Sequence, residues 1–332
     1  MMASLDILGL GNAIVDVIAP ADDDFLTVHR LRKGTMQLID EAQAEKLYAA
    51  MGQTTVVSGG SAANTIIGAA HLGCRAGFIG KVKTDPLGAI FTHDIRSAGV
   101  TFKSAPAKDG AASARCLVFV TPDGQRTMNT FLGACQNLTP EDVDPHLVMK
   151  SQIVYLEGYL WDPPEAKRAF LKASEIAHAS GSRVALSLSD AFCVDRYREE
   201  FLGLIRDKLV DIVFANESEL HSLYQTADFD TALGLLRNEG ILAVVTRSEA
   251  GSIVVTREET HAVHAFPVEK VIDTTGAGDL FAAGFLTGLV RDMALPECAR
   301  LGALAAAEII QHYGARPHQD LKALAAENGF EL

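Results

Sequence analysis

The sequence predicts an α/β fold of three layers, in which a mainly parallel central sheet is flanked by helices and covered at one end by a small β-sheet lid. Two observations carry this. From residue 151 onward, short β-branched runs alternate with helical segments of crossover length, as parallel strands require because a two-residue turn cannot join them. Between residues 113 and 132 the pattern changes. Ala114-Arg115-Cys116-Leu117-Val118-Phe119-Val120 is followed by a Pro122-Asp123-Gly124 turn and a second run from Arg126 to Phe131. That is a hairpin signature, and it stands outside the alternation.

The elements follow in order. Residues 5–11 form a buried first strand ending in glycines. Residues 12–40 mix short apolar runs with turn residues, as edge strands do. Together with residues 113–132 they supply the lid of a single domain spanning residues 1–332. Residues 62–72 and 87–98 have helical periodicity, and residues 76–80 between them are strand-like. Residues 153–156, 183–188, 212–215 and 242–246 are compact apolar runs, the composition of strands buried on both faces. An apolar-alternating run at 264–272 then leads through Asp273-Thr274-Thr275-Gly276-Ala277-Gly278-Asp279 into a helix that reads as buried.

Composition narrows the function. A hydrophobic fraction of 48% and a charged fraction of 21% are ordinary globular values. A formal charge of −13 argues against nucleic acid or an anionic membrane as partner, since phosphate contacts need a basic face. The five cysteines are dispersed, odd in number and free of any C-x-x-C pair, which points to reduced thiols. No basic segment with a signal-type apolar run opens the chain, and no stretch is long enough for a membrane span. A cytoplasmic enzyme is expected.

Four short segments could carry chemistry. In 273–279 a Gly-Ala-Gly turn opens a helix, leaving backbone N–H groups directed at one spot where the helix dipole favours negative charge. Asp279 in the first turn places a carboxylate beside that anion site. Anion holder plus adjacent base is what phosphoryl transfer to a hydroxyl requires, although a Gly-rich turn with a capping Asp has the same letters. Gly59-Gly60-Ser61-Ala62-Ala63-Asn64 lets the backbone approach a ligand closely, or is a tight turn with Ser61 as cap. Asn12-Ala13-Ile14-Val15-Asp16 follows the first strand, where ligands bind in open α/β sheets; a solvated turn Asp is the plainer alternative. Asn216-Glu217-Ser218-Glu219 is either a Mg²⁺ holder near phosphate or a capped helix start with an acidic first turn. Other patterns fail. The third glycine of a dinucleotide fingerprint after Gly9-Leu10-Gly11 would fall at Ile14, and the first glycine of a P-loop ending in Gly80-Lys81 would fall at Arg75.

Taken together, Gly59-Gly60-x-x-x-Asn64, Asn216-x-x-Glu219 and Asp273-Thr-x-Gly276-x-Gly278-Asp279 resemble, in order and spacing, the ribokinase-like (PfkB) carbohydrate kinases over nearly the whole chain. The resemblance implies that Asp279 is the catalytic base and that Gly276, Ala277 and Gly278 stabilise the transferring phosphoryl group. It implies that ATP lies across Asn216, Thr246, Gly251 and the helix after Gly276. Asn216 and Glu219 would organise Mg²⁺, directly or through water. Asp273 and Thr275 would offer carbonyls to a monovalent cation such as K⁺, as in some relatives. Asp16, with Asn12, Ile14, Gly59, Gly60 and Asn64, would hold the acceptor.

Within that family, Gly9-Leu10-Gly11-Asn12-Ala13-Ile14-Val15-Asp16 and Leu186-Ser187-Leu188-Ser189-Asp190-Ala191-Phe192 are similar to the members that phosphorylate adenosine. That similarity implies purine contacts from Met36, Leu38, Met128 and Leu132, a base enclosed by Phe192, and Arg126 over the phosphates. Glu157 departs from it, standing where sugar-phosphorylating members contact the sugar, and Trp161 is either a nearby stacking wall or core packing. The implied reaction is phosphorylation of the ribose 5′-hydroxyl of adenosine. The alternatives are a ribokinase- or fructokinase-like sugar kinase and a non-catalytic nucleoside-binding protein. A monomer or a homodimer is expected, since an exposed lid edge can pair with another.

Overall fold

The computed structural model describes residues 4–332. Along the chain it contains β1 (Leu5–Leu10), β2 (Ile14–Pro20), α1 (Asp23–Val28), β3 (Met36–Leu38), α2 (Glu41–Ala50), β4 (Thr55–Gly59) and α3 (Ser61–His71). There follow β5 (Ala76–Ile79), α4 (Pro86–Ser97), β6 (Thr101–Phe102), β7 (Ala114–Val120), β8 (Arg126–Phe131), α5 (Pro145–Met149), β9 (Ser151–Glu157), α6 (Pro164–Ala179) and β10 (Arg183–Ser187). Next come α7 (Ala191–Arg206), β11 (Ile212–Asn216), α8 (Glu217–Tyr224), α9 (Phe229–Asn238), β12 (Leu242–Thr246), β13 (Ser252–Val255) and β14 (Thr260–Val263). The chain ends with α10 (Ala277–Leu289), α11 (Leu295–Ile309) and α12 (Leu321–Glu327).

The apolar runs become a nine-stranded sheet in the order β14-β13-β12-β11-β10-β9-β1-β5-β6. It is parallel from β12 to β6, and only the β12–β13 and β13–β14 pairings are antiparallel. Successive strand residues point to opposite faces, so each apolar run feeds two cores. Ile7, Ile153, Tyr155, Ile212 and Val244 pack under α3, α10 and α11, while Leu8, Val154, Leu156, Val213 and Val245 pack under α6, α7, α8 and α9. Helices sit on both faces, as expected. No helix among the described residues is long and apolar enough to cross a membrane.

The lid is a five-stranded sheet, β3-β8-β7-β2-β4. Its hairpin β7–β8 forms where the sequence places it, but residues 12–40 do not supply only edge strands. β2 is internal, paired in parallel with β7 and antiparallel with β4, and β4 comes from outside both expected segments. Residues 23–28 are helical because the Asp22 carboxylate accepts from the Phe25 amide at 2.7 Å, satisfying an orphan donor of the first turn. At 264–272 strand pairing does not continue past Val263.

Two features position the site. The C-terminal ends of β1, β9, β10, β11 and β12 lie side by side, with Glu157 opposite Ser187 and Asn216 opposite Thr246 in register. This is the edge where open α/β sheets bind ligands, next to β1 where the strand order reverses. In addition, α10 lies against α3 at Gly68, where an added Cβ would come within 2.7 Å of Leu280 and 2.9 Å of Ala283. That close approach brings the first turns of the two helices together.

Candidate active site

A cavity of about 700 Å³ opens between the strand ends and the lid. Most of the residues singled out from the sequence line it: Asn12, Ile14, Asp16, Met36, Leu38, Gly60, Asn64, Met128, Leu132, Glu157, Phe192, Asn216, Glu219, Thr246, Gly276, Gly278 and Asp279. Gly59, Arg126, Gly251 and Ala277 lie outside its wall. Gly59 backs Asp16, where an added Cβ would fall 2.5 Å from Oδ2, and Gly251 turns the chain against the backbone of Val263. Trp161 is core, packed on Phe170 and Phe201, with its indole N–H donating to Glu200 at 2.9 Å.

The cavity floor is Asp279. It sits in the first turn of α10, whose N-cap Gly276 has φ +80° and whose start has no side-chain cap. The first-turn amides are therefore left for an anion, although the Ala277 amide turns back onto the Thr274 carbonyl at 3.2 Å. Both Asp279 oxygens are held from α3. Ser61 Oγ donates to Oδ1 at 2.6 Å, and Asn64 Nδ2 donates to Oδ2 at 2.9 Å. Enclosure by protein raises the Asp279 carboxyl to about 6, against the opposing effects of those two hydrogen bonds and of Arg316. A carboxylate tuned toward neutrality suits a general base. Only the ionised form accepts a proton, so turnover is expected to fall as pH drops through about 6. The acid limb of a kcat/KM-against-pH profile, which reports the free enzyme, checks this, and a limb near the ordinary carboxylate value would contradict it.

Asp16 faces Asp279 across the floor. Burial raises it too, to about 6, with Arg316 and Arg126 opposing the shift and Asp279 adding to it. Glu157 lies deeper and is raised to about 7, mainly by burial. Its Oε1 accepts from Asn12 Nδ2 at 2.6 Å, and its Oε2 from the amides of Ala62 at 2.8 Å and Asn12 at 3.2 Å. Glu157 therefore ties the end of β1 to the start of α3. The same bonds turn the buried Asn12 Oδ1, which has no partner among the described residues, away from Glu157.

Asn216 and Glu219 form a reciprocal capping box at the start of α8. Asn216 Nδ2 and N donate to the Glu219 carboxylate at 2.5 and 3.0 Å, and Asn216 Oδ1 accepts from the Glu219 amide at 2.9 Å. Burial raises the Glu219 carboxyl to about 7. No cluster of three or more metal-ligating side chains occurs among the described residues. Arg126, on lid strand β8, pairs with the Asp273 carboxylate. Asp273 also accepts from the Thr275 amide at 3.0 Å, from Thr275 Oγ1 at 2.7 Å and from the Gly314 amide at 2.9 Å. This carboxylate thus ties the lid to the turn that precedes α10.

Sequence reasoning missed Ser61 as a partner of Asp279, having read it as a cap; its side chain makes no cap bond. It also missed Arg316, whose guanidinium reaches Asn64 Oδ1 and donates to Ser58 O at 2.5 Å and Ser58 Oγ at 3.1 Å. No motif marks that arginine. The rim of the cavity is apolar and open. Met36 and Leu38 on the lid are exposed, as is Phe192 at 68%, with the Arg196 guanidinium 4.7 Å over the Phe192 ring.

An uncapped helix start, a carboxylate in its first turn and a cavity beneath a β lid are an arrangement suited to phosphoryl transfer onto an alcohol. The chain belongs to the pfkB family of carbohydrate kinases, whose pattern matches residues 34–321. It is similar to an adenosine kinase from Sinorhizobium meliloti, at 52% identity over 98% of this chain and 100% of that one, with a TM-score of 0.92. A probable sugar kinase from Rhizobium etli CFN 42 is 49% identical over 99% of each chain, with a TM-score of 0.93. The adenosine kinase of Saccharomyces cerevisiae is 26% identical over 92% of this chain and 94% of its own. The chain is therefore a kinase that phosphorylates a nucleoside or sugar, and its family implies ATP as phosphoryl donor.

Proposed function

We propose that the acceptor is a ribonucleoside, adenosine before others, phosphorylated at its 5′-hydroxyl. One observation carries this reading: the apolar Met36, Leu38, Met128, Leu132 and Phe192 line the same cavity as the polar Asn12, Asp16 and Asp279. A bare pentose has no surface to match those apolar residues, whereas a nucleoside puts hydroxyls on one side and an aromatic face on the other. Asp16 accepts from the ribose hydroxyls and Asp279 takes the 5′-hydroxyl proton. The new bond joins O5′ to the γ-phosphorus as the bond to the β–γ bridging oxygen breaks, and ADP leaves.

The first-turn amides of α10 hold the phosphoryl group as charge shifts onto it. The reading places ATP across Asn216, Thr246, Gly276 and Gly278. Mg²⁺ neutralises phosphate charge in such transfers and keeps most of its waters. The mutual bonds of Asn216 and Glu219 fit contact through water better than direct ligation. The lid, drawn from 12–40 and 113–132 together with β4, closes over the acceptor, covers the exposed Met36 and Leu38, and limits ATP hydrolysis by excluding water.

A second reading, a sugar kinase, is favoured by Glu157 in the cavity wall. Against it, three N–H donors of the protein already occupy that carboxylate. An ADP-release assay with adenosine, inosine, ribose and fructose separates the two. Adenosine is expected to exceed both free sugars in kcat/KM by about 100-fold or more, as lost contacts to a whole base imply. Activity on a free sugar alone would overturn the nucleoside reading. Adenosine binding by calorimetry without any ADP formation would favour a non-catalytic binder.

A further inference from the structure

Asn64 can present either its oxygen or its nitrogen to Asp279, and the two ends differ little in shape. Arg316, on the segment between α11 and α12, decides which. A guanidinium only donates, so the Asn64 atom it meets is the oxygen, and the amide nitrogen is left facing Asp279 Oδ2 at 2.9 Å. Every donor then points the same way, from Arg316 through Asn64 to Asp279, and the chain ends on an acceptor that must be ionised to accept fully. The second guanidinium nitrogen is anchored on Ser58 at the end of β4, just before Gly59 and Gly60. The same segment fixes the anion turn, through the Gly314 amide on Asp273.

The charge count points the same way. Asp279 is faced by Ser61 and Asn64 from α3, by Asp16 from β2, by Tyr155 and Glu157 from β9, by Tyr159 beyond it, and by Arg316. The carboxyls of Asp16 and Glu157 disfavour a third negative charge nearby. Arg316 is the cation that opposes them at both Asp16 and Asp279. Burial lowers its own value to about 10, so it stays charged at neutral pH.

We propose that Arg316 is a positioning residue for phosphoryl transfer: it holds the Asn64 amide in the one orientation that supports ionised Asp279, and it supplies the positive charge that Asp16 and Asp279 share. The proposal rests on Asp279 as the base, but not on which acceptor is used.

The test compares Arg316→Met, Arg316→Lys and Asn64→Ala, singly and combined, using the best acceptor of the panel above. Arg316→Met is expected to move the acid limb of the kcat/KM profile up by about one pH unit, the effect of losing a nearby opposite charge. Its kcat should fall about 10-fold or more, because small misplacements of catalytic groups are costly, while KM for ATP holds. Arg316→Lys keeps the charge but not the planar fork, so its limb stays in place while kcat drops. In the Asn64→Ala background the further loss in kcat from Arg316→Lys should nearly vanish, since residues acting through one another are not additive.

A folded Arg316→Met enzyme with an unmoved acid limb would overturn the proposal. So would kcat losses from Arg316→Lys and Asn64→Ala that multiply independently. If Arg316→Met does not fold by circular dichroism, the Lys variant and its cycle with Asn64→Ala decide alone. Should Asp279→Asn retain normal turnover, the base assignment itself falls. An inactive Asp279→Asn beside wild-type-like Arg316 variants defeats only the present proposal.

Discussion

Asp279→Asn is expected to lower kcat by about 10²- to 10⁴-fold, the range for removing a positioned general base, with ATP affinity nearly unchanged. The side chains match in shape, so the cavity keeps its form. The hydrogen bonds can also be kept. Arg316 holds the Asn64 nitrogen toward position 279, so the new amide must turn its oxygen to Asn64 and its nitrogen to Ser61. A hydroxyl can accept as well as donate, and Ser61 Oγ, now 2.6 Å from Oδ1, then accepts. What is lost is the ability to take the acceptor's proton. The amides at the α10 start and the wall formed by Asn216 and Thr246 are untouched, so ATP titration should give a wild-type curve while turnover falls. Near-normal kcat in a correctly folded variant would remove Asp279 from the base role.

The sheet was legible because its strands are buried on both faces. Runs such as residues 153–156 and 242–246 are short, β-branched and uninterrupted, and helices of crossover length separate them. The lid was only half legible. β7 and β8 are joined by a local turn, and a local turn leaves a local signal. β2 pairs with β7 from Ile14↔Ala114 to Pro20↔Val120, a partnership that nothing near residue 14 encodes, so its inner position in the sheet was invisible. β4 escaped for the same reason, and α2 because only Ala44 and Leu47 of its ten residues are buried, too few to set a helical period.

The site divides along similar lines. Gly60, Gly276 and Asp279 belong to compact turns whose letters stand together in the sequence, and the structure brings them to one cavity. Asn216-x-x-Glu219 was legible as a pattern but ambiguous in meaning, because a capping box and a water-mediated metal holder ask for the same residues at the same spacing. The structure forms the box. Arg126 illustrates the limit of reasoning from resemblance. Expected over phosphates, it pairs with Asp273 in the ligand-free site, a contact that no resemblance announced. Arg316 had no local signal at all, since its partner Asn64 is 252 positions away.

Gly60→Ala is expected to be the most damaging small substitution in the acceptor site. Gly60 has φ +100° and ψ 135° at the N-cap of α3, a region that L-residues avoid at a cost of about 1–3 kcal/mol. Space is the harder constraint. A Cβ there would lie 2.2 Å from the Asn12 carbonyl oxygen, and that neighbour is backbone, which cannot rotate aside. Relieving the clash to ordinary contact moves either the end of β1 or the start of α3 by about 1 Å, and displacements of that size at catalytic groups cost about 10²-fold in rate. Both possibilities reach the chemistry. The β1 side carries Asn12, bonded to Glu157, and the α3 side carries Ser61 and Asn64, bonded to Asp279. Thermal unfolding should show a lowered midpoint, and steady-state kinetics should show kcat reduced about 10²-fold or more. The control is Gly99→Ala, whose φ of +81° imposes backbone strain without any atom within 4 Å of the added Cβ. If the two variants lose similar stability but only Gly60→Ala loses turnover, the loss comes from displaced catalytic groups and not from strain in general. Equal losses of turnover would show that the close approach of Gly60 to Asn12 has no special part in holding the site.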